Sequence, residues 1–211
     1  MLDVVVFRTK NLKLERDNIR LELDYLKSQV NPHFLFNVLN SIYSTVIDTE
    51  PQAAQIILKL SAMMRYSLYE TNSDRVELNR EIQFIKDYIE LERIRHQKKS
   101  KISFTLEGNP ANLQIPPLML ISFVENAFKH GVNTTIKQSW VDVRLEIIES
   151  TLIFKISNSR PVKAINEPQN GGIGIINIKK RLEMIYPKKH SLTISSTPET
   201  YEVCLKITLI E

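Results

Sequence analysis

The sequence predicts an α+β chain in two parts: a helical hairpin, then an α/β two-layer sandwich. Residues 8–73 contain no glycine and are rich in Leu, Ile, Glu, Lys and Gln, which are good helix formers. Residues 102–211 hold all five glycines and several β-branched runs. Between them stands a polar cluster, Thr71-Asn72-Ser73-Asp74, of the kind that makes a hinge. Charge changes across it: residues 1–74 carry 8 Lys+Arg against 9 Asp+Glu, and residues 75–211 carry 20 against 15. The expected domains are therefore 1–74 and 75–211.

In the first part, Leu12, Ile19 and Leu26 recur every seven residues, with Leu23 and Val30 as a second seam and Arg16 interrupting. A short parallel coiled coil between two copies fits this pattern. An amphipathic helix packing within its own chain fits it too. A second helix is expected from Thr49, with Pro51 in its first turn and an apolar stripe of Ile56, Ile57, Leu60, Met63, Met64 and Leu68. Two such hairpins would form a four-helix bundle on dimerisation.

The second part opens with a helix over Leu78–His96, with Leu78, Ile82, Ile85 and Ile89 on one side. Ile102–Leu106 alternates as a strand. Pro116-Pro117 is expected to start a helix running to about Lys129. Val141–Ile148 and Leu152–Ser157 read as consecutive strands joined at Glu149-Ser150. The glycine cluster at 171–174 precedes a helix ending at Tyr186, before Pro187. Leu192–Ser195 and Tyr201–Leu209 read as a closing hairpin. Helices beside a mixed or mostly antiparallel sheet argue for two layers.

Composition narrows the function. With 43% hydrophobic and 25% charged residues, the 211-residue chain can bury a sizeable core. The single cysteine, Cys204, excludes a disulfide framework and a Cys-based zinc site. A net charge of +4 does not call for nucleic acid as a partner, although Lys179-Lys180-Arg181 and Lys188-Lys189 are the residues such a reading would use. No stretch approaches the roughly 18 apolar residues that span a bilayer. The chain as given reads as cytoplasmic, with a membrane or sensor segment upstream left open.

Two stretches carry chemistry. In Asn31-Pro32-His33-Phe34-Leu35-Phe36-Asn37, Pro32 interrupts a helical pattern and is expected to kink it. His33 and Asn37 then share one face, one turn apart, beside an apolar stripe of Phe34, Leu35, Val38 and Ile42. An accessible neutral imidazole can be a nucleophile, with Asn37 orienting a phosphoryl group or water. A partly buried histidine hydrogen-bonded at a kink is the plainer reading. His96, His130 and His190 are not at ligand spacing from His33 or from one another, which argues against a histidine metal site.

The second stretch is Ser122–Gly131. Ser122, Glu125, Asn126 and Lys129 fall on one helical face. An acid, an amide and an ammonium together suit a Mg²⁺–nucleotide site, with Glu125 a candidate general base. Solvated polar residues at a helix end would look the same. Gly171-Gly172-Ile173-Gly174 before a helix would let backbone N–H groups approach phosphate, or would simply form a turn. Residues 158–170, polar and Pro-containing, could form a lid over a nucleotide.

Taken together, these residues resemble the LytS/YehU-type sensor histidine kinases, within the Bergerat-fold (GHKL) ATPases. Gln29–Asn37 is similar to that family's phosphoacceptor motif. Leu78, Glu81, Tyr88, Ile89, Glu92 and Arg95 are similar to its connecting helix. Glu125-Asn126-Ala127-x-Lys129-His130-Gly131 is similar to the asparagine box, and Gly172-x-Gly174 with Asn177, Arg181 and Leu182 to the glycine box. The resemblance covers residues 23–210 or so.

The resemblance implies ATP and Mg²⁺, autophosphorylation of His33, and transfer to an aspartate of a response regulator, by resemblance of the LytTR type. It implies that Asn126 binds Mg²⁺, Lys129 contacts phosphate and Glu125 acts as base or polarises the histidine. His130 would lie near adenine or ribose, and Gly172 and Gly174 would shape the lid. A homodimer forming the cytoplasmic portion of an inner-membrane sensor is implied, without nucleic acid. Two positions depart from the family pattern. Asn158 stands where an aspartate would accept from the adenine amino group, and the glycines that usually follow are absent. Phe34 follows His33 where the larger kinase class has an acid. The second departure moves the base role onto Glu125 or elsewhere, and the first suggests an alternative: a degenerate kinase that acts as a dimeric nucleotide-binding signalling module.

Overall fold

The computed structural model describes residues 31–96, 100–132, 139–160 and 173–209, with isolated positions between 7 and 22. The coiled-coil seam Leu12, Ile19, Leu23, Leu26 and Val30, the interrupting Arg16, Gly171, Gly172 and positions 161–170 lie outside the described residues. The chain forms two compact units, Met1–Ser61 and Ala62–Glu211.

In the first unit, helix α1 (Pro32–Val46) is followed after a four-residue turn by α2 (Pro51–Tyr69), which continues into the second unit. Pro51 occupies the first turn, where its missing N–H costs nothing. No side chain of α1 is buried. Its expected apolar stripe instead leaves Phe34, Val38 and Ile42 exposed at 61%, 38% and 43%.

The second unit is the expected two-layer sandwich. Strand β1 (Val76–Glu77) leads into α3 (Leu78–His96), then come β2 (Ser100–Glu107) and β3 (Gln114–Ile115). Helix α4 (Ile121–Ala127) follows, then β4 (Ser139–Ile148), β5 (Thr151–Ser159), α5 (Ile173–Ile185), β6 (His190–Ser196) and β7 (Thr200–Thr208). Five strands form one sheet in the order β2-β4-β5-β7-β6, parallel between β2 and β4 and antiparallel elsewhere. A mixed sheet with helices gathered against it is the architecture expected of the Bergerat type. A second sheet, the antiparallel pair β1–β3, was not foreseen; two residues per strand carry no readable periodicity.

Alternation along the strands explains the core. Val141, Val143, Leu145 and Ile147 of β4 are buried, as are Leu152, Phe154 and Ile156 of β5 and Val203, Leu205 and Ile207 of β7. Leu78, Ile82, Ile85 and Ile89 of α3 belong to the same core, as the helical spacing predicts. Each such side chain contributes on the order of 1.5–3 kcal/mol by leaving water.

Two helix starts differ from the sequence reading. The helix expected at Pro116 begins only at Ile121, because Pro117–Leu120 form a turn with Leu118 at φ 56°. The buried Glu81 carboxylate accepts from the Leu118 N–H at 2.9 Å and the Leu120 N–H at 3.0 Å, which holds that turn open. After Ala127 the helix widens into a π-type turn over Phe128–Val132. At the other helix, α5 starts at Ile173, so Gly174 lies inside its first turn rather than before it.

Candidate active site

Asn31 is the N-cap of α1, with extended backbone (φ −67°, ψ 100°), and its Oδ1 accepts from the Phe34 N–H at 3.1 Å. The expected kink at Pro32 is therefore a helix start. Proline at the first helical position sacrifices no hydrogen bond, and the residue before it prefers extended backbone. His33 consequently stands on the first turn, exposed. One turn on, the Asn37 amide nitrogen lies 3.2 Å from His33 Nδ1. The two side chains share one face as expected, their direct contact was not foreseen, and His33 is exposed rather than partly buried.

That contact can govern which ring nitrogen is nucleophilic. With the amide NH₂ facing the ring, Nδ1 accepts and Nε2 carries the proton. With the amide turned over, Nδ1–H donates to Oδ1 and Nε2 presents its lone pair outward.

The second unit gathers the other candidates. Glu125 and Asn126 lie in the last turn of α4, and Lys129 and His130 on the π-type turn, both exposed. Burial against neighbouring atoms raises the Glu125 carboxyl pKa although the side chain reaches solvent. Close by, the Tyr88 phenol is raised by its own burial first, then by the negative charges of Glu92 and Glu125. Tyr88 packs edge-on against Phe128 at 5.7 Å. Glu92 also binds His96 at 3.0 Å and Arg95 at 3.3 Å.

Two close approaches bring the separate segments together. A Cβ on Gly131 would lie 2.8–3.1 Å from the Asn158 side chain, a distance only glycine permits. A Cβ on Gly174 would lie 3.6 Å from the Asn126 amide nitrogen. So α4, its π-type turn, β5 and α5 converge on Asn126 and Asn158. Asn158 is 1% exposed and donates its Nδ2 to the Ser159 carbonyl at 2.9 Å, which leaves the amide oxygen as the group's acceptor.

The donor chemistry suits a hard cation shared with phosphates. Asn126 offers an amide oxygen, and Glu125 a carboxylate beside it. Among the described residues no cluster of three or more His, Cys, Asp or Glu could hold a metal unaided. Gly172 lies outside the described residues.

Three residues have partners that the sequence did not show. Arg181 is not a free basic side chain of a lysine-rich run: its Nη2 donates to the Pro117 carbonyl at 2.9 Å. Tyr66 donates to the buried Glu81 at 2.5 Å. Glu81 entered the sequence reading within the connecting-helix resemblance, and it is set among Leu78, Ile82 and Ile85. An acid on an apolar face is the signal that it must be paired.

The histidine kinase family model matches residues 21–100. Sensor histidine kinase YpdA of Escherichia coli (strain K12) is 30% identical over 176 residues, covering 79% of this chain and 31% of YpdA. Sensor protein LytS of Staphylococcus epidermidis (strain ATCC 12228) is 27% identical over 188 residues, 83% of this chain and 32% of LytS. Sensor histidine kinase BtsS of Escherichia coli (strain K12) is 28% identical over 182 residues, 85% of this chain and 32% of BtsS. The chain spans about a third of the length of the curated relatives it matches. Among solved structures, Acinetobacter baumannii histidine kinase AdeS covers 87% of this chain and 98% of its own at 12% identity, with a TM-score of 0.46, too loose a likeness to add weight.

Proposed function

We propose that the chain, which is similar to LytS-type sensor histidine kinases over most of its length, is a kinase core that phosphorylates its own His33 from ATP and passes the phosphoryl group to a response-regulator aspartate. The observation that carries the reading is the exposed His33 imidazole, paired with Asn37 on a capped first turn.

A ring nitrogen lone pair of His33 attacks the γ-phosphorus, the bond to the β,γ-bridging oxygen breaks, ADP leaves, and the imidazole gives up a proton. Glu125 is the acceptor proposed for that proton. Its raised pKa brings it nearer the working range of a base than an ordinary carboxylate. Lys129 places an ammonium against the transferring phosphates, and the rest is positioning. Asn126 would hold Mg²⁺ through its amide oxygen, and the ion would supply positive charge beside the phosphate oxygens. The Asn158 amide oxygen accepts from the adenine amino group, doing without charge what an aspartate would do with it. His130 borders the adenine or ribose, and Gly174, with Gly172, leaves room beside Asn126.

Homodimerisation belongs to the same proposal. Phe34, Val38 and Ile42 form an exposed apolar line on α1, and a second copy of the hairpin would cover it. So do a hairpin domain at 1–74, an ATP-binding domain at 75–211, a LytTR-type regulator as partner, and placement beneath a membrane sensor.

Incubation with γ-labelled ATP tests the reading. Wild type should acquire acid-labile, alkali-stable label, and His33→Gln should acquire none while still binding nucleotide. A wild type that binds Mg²⁺–ATP but takes no label would favour the second reading, a nucleotide-binding signalling module, for which the uncharged Asn158 speaks. Asn126→Ala should weaken Mg²⁺–ATP binding; unchanged affinity would remove it from the site.

A further inference from the structure

Glu81 is fully buried on the apolar face of α3, and three donors occupy its carboxylate. Oε2 accepts from the Tyr66 hydroxyl at 2.5 Å and the Leu118 N–H at 2.9 Å, and Oε1 from the Leu120 N–H at 3.0 Å. Leu118 sits in left-handed backbone (φ 56°), which a branched side chain holds only where its surroundings impose it. Leu120 is the N-cap residue of α4, which has no side-chain cap of its own. The next turns of that helix carry Glu125 and Asn126. On the far side, Arg181 of α5 holds the Pro117 carbonyl, so the helix that contains Gly174 is tied to the same turn. Tyr66 lies near the end of α2, its ring 4.8 Å from that of Phe84.

We propose that Glu81 and Tyr66 are positioning residues for the nucleotide site: their hydrogen bonds fix the Pro117–Leu120 turn from which α4 springs, so that a displacement of α2 at Tyr66 reaches Asn126. This rests on Asn126 lying in an ATP site. The path is short and polar at every joint: the Tyr66 hydroxyl, the Glu81 carboxylate, two backbone N–H groups, then one helix. A carboxylate is the side chain that can serve it, because three donors need an acceptor that carries no proton of its own. Glutamine in its place would present an NH₂ to one of the N–H groups.

The test uses the whole chain, with Tyr66→Phe and Glu81→Gln. Tyr66→Phe keeps the ring against Phe84 and removes only the O–H, so it remains informative if Glu81→Gln fails to fold. Two readouts are taken: hydrogen exchange at the Leu118 and Leu120 amides, and KM for ATP against kcat for autophosphorylation. Expected for Tyr66→Phe are exchange at both amides faster by about tenfold and a KM raised by a similar factor, with kcat nearly kept and exchange in β4 and β7 unchanged. Wild-type exchange and wild-type KM in Tyr66→Phe would overturn the proposal and leave the kinase reading standing. A wild-type chain that takes up no nucleotide would overturn the kinase reading and this proposal together.

Discussion

His33 is accessible because of its two neighbours. Asn31 caps the helix and Pro32 starts it, so the histidine falls on the first turn, where it is exposed. Asn31→Ala should cost about 1 kcal/mol of stability, read from denaturant midpoints, and should lower phosphorylation of His33 by loosening that turn. The motif was legible in the sequence as residue types and spacing. Its geometry was read as a kink because proline is forbidden inside a helix, whereas the cap that turns it into a start depends on the backbone of Asn31. At Glu125 the raised pKa has a kinetic consequence. The base must be deprotonated, so kcat should climb with pH through an apparent pKa above the ordinary carboxylate value of 4.5. Glu125→Gln should lower kcat by about 10²–10⁴-fold and abolish that acidic limb. An unchanged limb in the variant would assign the base role elsewhere.

At the scale of elements, two glycines that look alike in sequence separate sharply. A methyl group at Gly131 would meet the buried Asn158 side chain at 2.8–3.1 Å, where nothing can yield easily, while one at Gly174 would meet Asn126 at 3.6 Å, an ordinary contact. Gly131→Ala should cost about 1–3 kcal/mol and displace Asn158, weakening nucleotide binding. Gly174→Ala should be far milder in both calorimetry and titration. Equal effects would place the strain elsewhere. In the sequence Gly131 stands as the end of the asparagine-box resemblance; its closeness to β5 arises from the π-type turn, which no periodicity announces. Glu81 makes an element-scale prediction too. Burial raises its pKa against the donors that lower it, so keeping Glu81 ionised for its three donors costs folding stability that the neutral acid would not. The neutral acid's contribution is complete below about pH 4.5, the unfolded value, and is lost as pH rises through the higher folded value. Wild type should therefore lose stability with rising pH across this window relative to Glu81→Gln, measured as the difference in denaturant midpoints. Parallel curves would contradict it.

For the molecule as a whole, the mixed sheet and most of its core were readable, because helical and strand periodicities place apolar side chains on one face wherever that face is buried. The readable part failed where tertiary contacts set the backbone: the β1–β3 pair, the late start of α4, and the inclusion of Gly174 in α5. The exposed apolar line on α1 is a whole-molecule feature as well. A lone copy leaves Phe34, Val38 and Ile42 in water, so the purified chain should sediment as a dimer, and Val38→Glu should shift it toward monomer. A monomeric wild type would contradict the bundle.

The central claim is that the His33 imidazole receives the terminal phosphoryl group of ATP. The most direct measurement is peptide mapping by mass spectrometry under alkaline conditions after incubation with Mg²⁺–ATP. The account predicts a phosphoryl mass on the peptide containing His33, localised to that residue and absent when ATP is replaced by a non-hydrolysable analogue. A phosphoryl group found on another residue, with His33 unmodified in a chain that binds ATP, would contradict it.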